Sequence, residues 1–159
     1  MPPQPIRQAA AIPVRDGRVC LVTSRSGRRW VVPKGRIEPG QTAGEAALAE
    51  AWEEAGLVGA LAGEPVGSYH YEKFGRPHHV TAFVMAVTGQ GLIWPEYRLR
   101  RREWVTAEVA LDRLHEPGLR ALIRGVLRSG GGPAAGHLAT SGSTTRSTSA
   151  SVRTSPTPP

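Results

Sequence analysis

A chain of 159 residues with a formal charge of +7, 40% hydrophobic residues and a single cysteine has the size and apolar content of one compact domain. No apolar stretch approaches the length that crosses a bilayer, and Cys20 has no partner for an internal disulfide. The start, Met1-Pro2-Pro3-Gln4-Pro5, lacks the basic and apolar regions of a secretory signal, so a cytoplasmic protein is expected and a disulfide-stapled or helical membrane protein is not.

The net charge hides a segregation. From Ile37 to Glu72 there are seven Glu and no Lys or Arg, so every base of this basic chain lies outside that segment. An acidic run without interleaved bases is solvated, paired from elsewhere in the fold, or neutralised by a bound cation. The bases are almost all Arg and scattered. They invite a polyanionic partner but form no dense block or aromatic-basic motif of the kind that binds nucleic acid, which is therefore an unlikely partner.

In chain order, Ala9 to Val14 and Val19 to Thr23 predict a hairpin, because Asp16-Gly17 suits the positive φ angles of a tight turn. Cys20 falls inside the second strand and reads as a core thiol. Trp30-Val31-Val32 is a short strand stopped by Pro33. Thr42 and Glu45 form a T-x-x-E capping box and Gly56 suits a left-handed cap, which brackets a helix over Ala43 to Ala55. Val66 to Phe74 and His79 to Val87 predict strands joined at Gly75-Arg76-Pro77, the second apolar on both faces like a central strand. Arg100 to Val105 is a further strand, whose alternation sends Arg100 and Arg102 to one face and Arg101 to the other. Leu119, Leu122, Ile123, Val126 and Leu127 follow the helical period behind Pro117. Strands, helix, strands, helix is an α+β order. From Ser129 the chain is Gly, Ser, Thr, Ala and Pro with hardly any large apolar residue, so residues 1–128 are expected to form the domain and 129–159 a disordered tail.

The chemistry concentrates on the first helix. At 100° per residue Glu50, Glu53 and Glu54 share an arc of about 100°, while Ala47, Leu48, Ala51, Trp52 and Ala55 occupy another that can face a core. The three carboxylates stand at the negative end of the helix dipole with no base at i+4. A solvated acidic face is the plain alternative. A bound hard cation is the other, and Mg²⁺ is the usual one for an all-oxygen site.

The surrounding residues favour the cation. Gly35-Arg36-Ile37-Glu38-Pro39-Gly40-Gln41, seven further residues, and Ala49-Glu50-Ala51-Trp52-Glu53-Glu54-Ala55-Gly56-Leu57 resemble the Nudix box, G-x5-E-x7-R-E-U-x-E-E-x-G-U. Spacing matches throughout, whereas Gln41 stands where the family has Glu and Ala49 where it has Arg. Thr23-Ser24-Arg25, Arg29 to Gly35, Arg76-Pro77-His78-His79 and Arg100 to Trp104 are similar to the diphosphoinositol polyphosphate phosphohydrolase branch of that family.

The resemblance implies a Nudix α/β/α sandwich with a mixed central sheet and a catalytic loop-helix. It also implies a pyrophosphohydrolase that uses Mg²⁺, or Mn²⁺, on an inositol pyrophosphate, a dinucleoside polyphosphate or another nucleoside diphosphate derivative. Carried over residue by residue, it makes Glu50 and Glu54 metal ligands with a backbone carbonyl of Lys34 or Gly35, and Glu53 the proton acceptor. Ser24, Arg25, Arg29, Arg36, His79, Arg100 and Arg102 are the expected substrate contacts, since a guanidinium can grip phosphate oxygens in a bidentate fork. Trp30 and Trp104 read as packing residues. The alternative function, supported by Gln41 and Ala49, is a Nudix-fold sensor that binds a phosphorylated metabolite without turnover. Oligomeric state is left open by the sequence.

Overall fold

The computed structural model describes residues 2–129; the remainder of the expected tail lies outside the described residues. Eight strands and three helices run in the order β1 (Ile6–Arg15), β2 (Arg18–Thr23), β3 (Trp30–Val31), β4 (Lys34–Arg36), α1 (Ala43–Ala55), β5 (Leu57–Leu61), β6 (Gly67–Lys73), β7 (Arg76–Gln90), β8 (Arg102–Val105), α2 (Ala107–Arg113) and α3 (Pro117–Arg128). Among the described residues no helix is long and apolar enough to cross a membrane.

The strands form one mixed sheet. β1 and β7 pair in parallel over Ile6–Val14 and His78–Ala86, and every other pairing is antiparallel. Both central strands are apolar at odd and even positions, and the structure shows why. Ala10, Ile12, Val80, Ala82 and Val84 face a core closed by Leu119, Ile123 and Val126 of α3 and Ala110 of α2. Ala9, Ala11, Phe83 and Met85 face the other core, closed by Ala46, Ala47, Ala51 and Ala55 of α1. The result is the expected α/β/α sandwich. Alanine on the buried stripe of α1 lets that helix lie close to the sheet. Trp52, placed by periodicity beside this stripe, is instead 40% exposed. Cys20 is buried in the same layer, which pushes its thiol up to about 12 and leaves it an inert core group.

Local signals set several boundaries. Thr42 Oγ1 accepts from Glu45 N at 3.1 Å while Thr42 N donates to Glu45 Oε1, the two halves of the capping box, and Gly56 caps α1 at φ 65°. Asp16 and Gly17 turn the first hairpin at φ 51° and 73°. The second hairpin corrects the sequence expectation. Its turn is Phe74-Gly75, at φ 52° and 69°, and Arg76 and Pro77 already belong to β7, opposite Lys73 and Glu72. The strand expected from Arg100 begins only at Arg102, and the short strands β4 and β5 and helix α2 were not predicted.

One edge of β1 is shared. Gln8–Ala10 pair with β4, whereas Val14 and Arg15 pair with β2. The β2–β3 hairpin and β4 therefore diverge from a common strand. The cleft described next is lined by Val31, Val32 and Lys34 at that divergence.

Candidate active site

Helix α1 carries the three carboxylates of its C-terminal half in graded environments: Glu54 is buried, Glu50 half-buried and Glu53 exposed. Glu54 Oε2 accepts from Lys34 N at 3.3 Å, which ties the end of the helix to the loop strand β4. Its other oxygen, Oε1, stands 3.2 Å from Arg100 Nη2. Gly35 lies against Glu50 so closely that a Cβ added there would overlap the Glu50 carboxylate. Only glycine leaves that carboxylate where it is.

Burial raises both carboxyls. Glu50 is pushed up to about 7 by desolvation, then by the charges of Glu53 and Glu96. Glu54 also reaches about 7, chiefly by desolvation, with Arg100 opposing the rise and Glu50 adding to it. Lys34 is shifted the other way, its ammonium lowered by burial and partly restored by Glu54. Two acids held up in this manner mark a place where more positive charge would be welcome.

Glu96 is a fourth carboxylate that the sequence reading missed. It stands 3.5 Å from Arg100 Nε and 3.6 Å from Arg25 Nε, so it anchors both arginines beside the helix. The signal was present in Trp94-Pro95-Glu96, an acid in a stretch otherwise rich in Arg.

The segment carrying Glu96 also completes the helix. An α-helix leaves its last carbonyls without partners, and here four consecutive ones are satisfied from residues 91–102. Glu53 O accepts from Glu96 N at 3.0 Å and Gly56 O from Gly91 N at 2.8 Å. Glu54 O accepts from Trp94 Nε1 at 2.9 Å and Ala55 O from Arg102 Nη1 at 2.8 Å. The Trp94 ring covers Gly56, where a Cβ would come within 2.8 Å of it.

Beside this cluster opens a cleft of about 220 Å³. Of the expected substrate contacts, Ser24, Arg25, Arg29 and Arg100 line it, together with Lys34 and Glu54 of the expected metal ligands. The Ser24 hydroxyl accepts from Arg29 N at 3.2 Å, which shapes the turn that presents Arg25 and Arg29. Three expected contacts lie elsewhere. Arg102 is committed to Ala55 O and Gly91 O, with its guanidinium 4.3 Å from the centre of the Trp94 ring. Arg36 lines a separate open depression with Arg7 and Arg76. His79 alternates away from the cleft to pack on His70, and its neighbour His78 lines the cleft, stacked on Tyr71. Trp30 is covered by Arg101 and Arg113, in keeping with a packing role.

Among the described residues no three His, Cys, Asp or Glu are gathered tightly enough to hold a metal by side chains alone. The donor chemistry still suits a hard ion. A buried and a half-buried carboxylate, both raised chiefly by desolvation, a backbone loop held against them at Lys34-Gly35 and an adjoining cleft lined by arginines match the few protein ligands that Mg²⁺ takes.

Comparison with known proteins agrees with this geometry. The family described as NUDIX domain matches residues 5–126. Diphosphoinositol polyphosphate phosphohydrolase 3-beta of Bos taurus is 36% identical over 128 residues, covering 77% of this chain and 76% of the relative. The solution structure of the E. coli ORF135 protein superposes with a TM-score of 0.62 at 26% identity, over 77% of this chain and 89% of that one. A C. elegans Ap4A hydrolase shares the fold with a TM-score of 0.64 at 20% identity, over 76% and 95% of the two chains. Box, sandwich and relatives converge: the chain belongs to the Nudix family and is a hydrolase of phosphoanhydrides.

Proposed function

We propose that the enzyme is a Mg²⁺-dependent pyrophosphohydrolase, with Mn²⁺ as a substitute ion, acting in the cytoplasm on a small phosphorylated metabolite. An inositol pyrophosphate, a dinucleoside polyphosphate or another nucleoside diphosphate derivative is the substrate class. The observation that carries this reading is the contact of Glu54 with both Lys34 N and Arg100, which places the carboxylate helix at the wall of a cleft lined by Arg25 and Arg29.

Hydrolysis of a phosphoanhydride needs charge neutralisation on its oxygens, a positioned water and an acceptor for that water's proton. Glu50 and Glu54, with a carbonyl of Lys34 or Gly35, would hold the ion, which when bound supplies charge stabilisation to the phosphates. Arg25, Arg29 and Arg100 grip and orient phosphate oxygens from the cleft wall. Ser24 holds the turn that presents the first two. Glu53, exposed at the end of the same arc, takes the proton of the attacking water.

Release of phosphate from inositol pyrophosphates, dinucleoside polyphosphates and nucleotide sugars, measured with and without Mg²⁺, tests the proposal. Metal-dependent release from at least one class is expected. Tight binding of these compounds without any release would instead identify a sensor.

A further inference from the structure

Three arginines that the cleft does not use come together where β1, β4 and β7 lie side by side. Arg7 is on β1, Arg36 closes β4 and Arg76 opens β7. Gln8 pairs with Arg36, Ile6 pairs with His78 two residues beyond Arg76, and Ile37 N donates to Arg7 O at 3.0 Å. Neighbouring strands stand about 4.8 Å apart. This pairing brings the three side chains to the lining of one depression of about 660 Å³. None of the residues that line it lines the cleft.

Arg25, Arg100 and Arg113 each have a carboxylate partner, whereas Arg7, Arg36 and Arg76 form no ion pair among the described residues. All three are exposed. Glu38 is the one acid among the residues lining the depression, so three positive charges stand against one negative. Like charges gathered in this way repel, and a bound anion relieves the repulsion.

The wall beside Glu38 is the turn Glu38-Pro39-Gly40-Gln41. Gln41 N donates to Glu38 O and Glu38 N donates to Gln41 Oε1, both at 3.0 Å, while Gly40 takes φ 81° as the third residue of such a turn requires. Gln41 stands where the Nudix box has Glu. Its amide supplies the acceptor that closes the turn without adding a second carboxylate to the depression. This departure from the box leaves the lining positive.

We propose that the depression binds a small anion carrying several phosphate groups, at a site separate from the catalytic cleft. Guanidinium forks match phosphate oxygens, and three of them exceed what a single carboxylate can engage. No aromatic residue lines the depression, so nothing there stacks on a base and recognition is of charge. Its lining comes from Gln4 to Arg7, from Arg36 to Gln41 and from Arg76, a short basic surface that suits a compact polyanion better than a nucleic-acid backbone. Arg36 directly follows Gly35, so an anion held here ties to β1 and β7 the strand that lies against Glu50.

The test is calorimetry on the full chain with inorganic tripolyphosphate as the probe, in EDTA to withhold divalent ions. Arg7→Ser combined with Arg76→Ser should remove one binding event, and Arg25→Ser combined with Arg29→Ser should leave that event in place. Gln41→Glu keeps the acceptor of the turn and adds one charge, so it should weaken the same event by about two- to fivefold. Melting without the probe should be unchanged in all of these variants; should the Arg7 and Arg76 pair melt early, Arg76→Ser alone decides, with a loss of about threefold expected. Binding that is indifferent to the Arg76 and Gln41 substitutions, or that vanishes with Arg25 and Arg29, would overturn the proposal. So would tighter binding of a short single-stranded RNA than of tripolyphosphate, lost with Arg7 and Arg76, which would assign the surface to nucleic acid.

Discussion

Arg100 Nη2 stands 3.2 Å from Glu54 Oε1 with both side chains only 9% exposed, so a cation for the carboxylate helix comes from a loop far along the chain. The acidic segment is in this respect paired from elsewhere in the fold. Arg100→Gln removes the main influence holding the Glu54 carboxyl down, while burial and Glu50 continue to push it up. At neutral pH less of the carboxylate is then ionised. The expected result is a loss of roughly 10- to 100-fold in kcat/KM at pH 7, the usual cost of removing a partner that orients a metal ligand. The acidic limb of the pH–rate profile should also move to higher pH. Arg100→Lys should recover part of both effects; a loss of rate with an unmoved acidic limb would assign Arg100 to substrate contact alone.

Gly35→Ala tests the close approach of loop and helix. The new methyl overlaps the Glu50 carboxylate, which must swing away while the fold, packed elsewhere, persists. Hydrolysis should fall by at least tenfold and calorimetric Mg²⁺ affinity should weaken. Melting temperature is expected to change by only a few degrees. An unaffected metal titration would show that Glu50 does not ligate the ion.

Stability without metal should depend on pH in an unusual direction. The folded values of Glu50 and Glu54, about 7, lie above the 4.5 of an ordinary glutamate, so between these values the folded state binds more protons than the unfolded one. Their contribution is fully present below pH 4.5 and is lost as pH rises through 7. Melting of the metal-free enzyme should fall from pH 6 to pH 8. Glu50→Gln should flatten that fall, and added Mg²⁺ should offset it most at pH 8. A slope of the opposite sign would show that the two carboxyls ionise in the ordinary range.

Glu53 and Glu54 should separate when each is changed to Gln. Glu54→Gln removes a buried carboxylate proposed to ligate the ion, so metal affinity and hydrolysis should both be lost. Glu53 is exposed, and its replacement should leave metal affinity within a few-fold while kcat drops by ~10²- to 10⁴-fold, the range for loss of a general base. Rates and calorimetric titrations of the two variants side by side decide the assignment. Equal loss of metal affinity in both would make Glu53 a ligand as well.

The parts of this molecule that were legible in the sequence are those set by short-range chemistry. Thr42, Glu45 and Gly56 declare the limits of α1 through hydrogen bonds and φ angles spanning a few residues. The doubly apolar pattern of His79 to Val87 identified a central strand because burial on both faces leaves no polar positions. Reading failed where a one-residue choice or a distant partner decides. The turn fell on Phe74-Gly75 although Phe seldom adopts positive φ, and β7 starts correspondingly early, at Arg76. Strand alternation then puts His78, not His79, at the cleft. Arg100 and Arg102 look alike in sequence, yet one meets Glu54 and the other Ala55 O. Nothing local distinguishes them, because their roles follow from where the end of α1 lies.

Surface loops in hydrolases ordinarily absorb insertions and deletions, and this freedom is how one scaffold diversifies its substrates. The stretch from Gly91 to Arg102 has little of that freedom. It meets four successive carbonyls, Glu53 to Gly56, through Gly91, Trp94, Glu96 and Arg102, and the same stretch of helix carries two of the proposed site carboxylates. A single residue added there would slip the register of donors against acceptors and transmit the error to the reacting centre. A change of chain length is therefore expected to cost more there than in the turn at Ser24–Arg29.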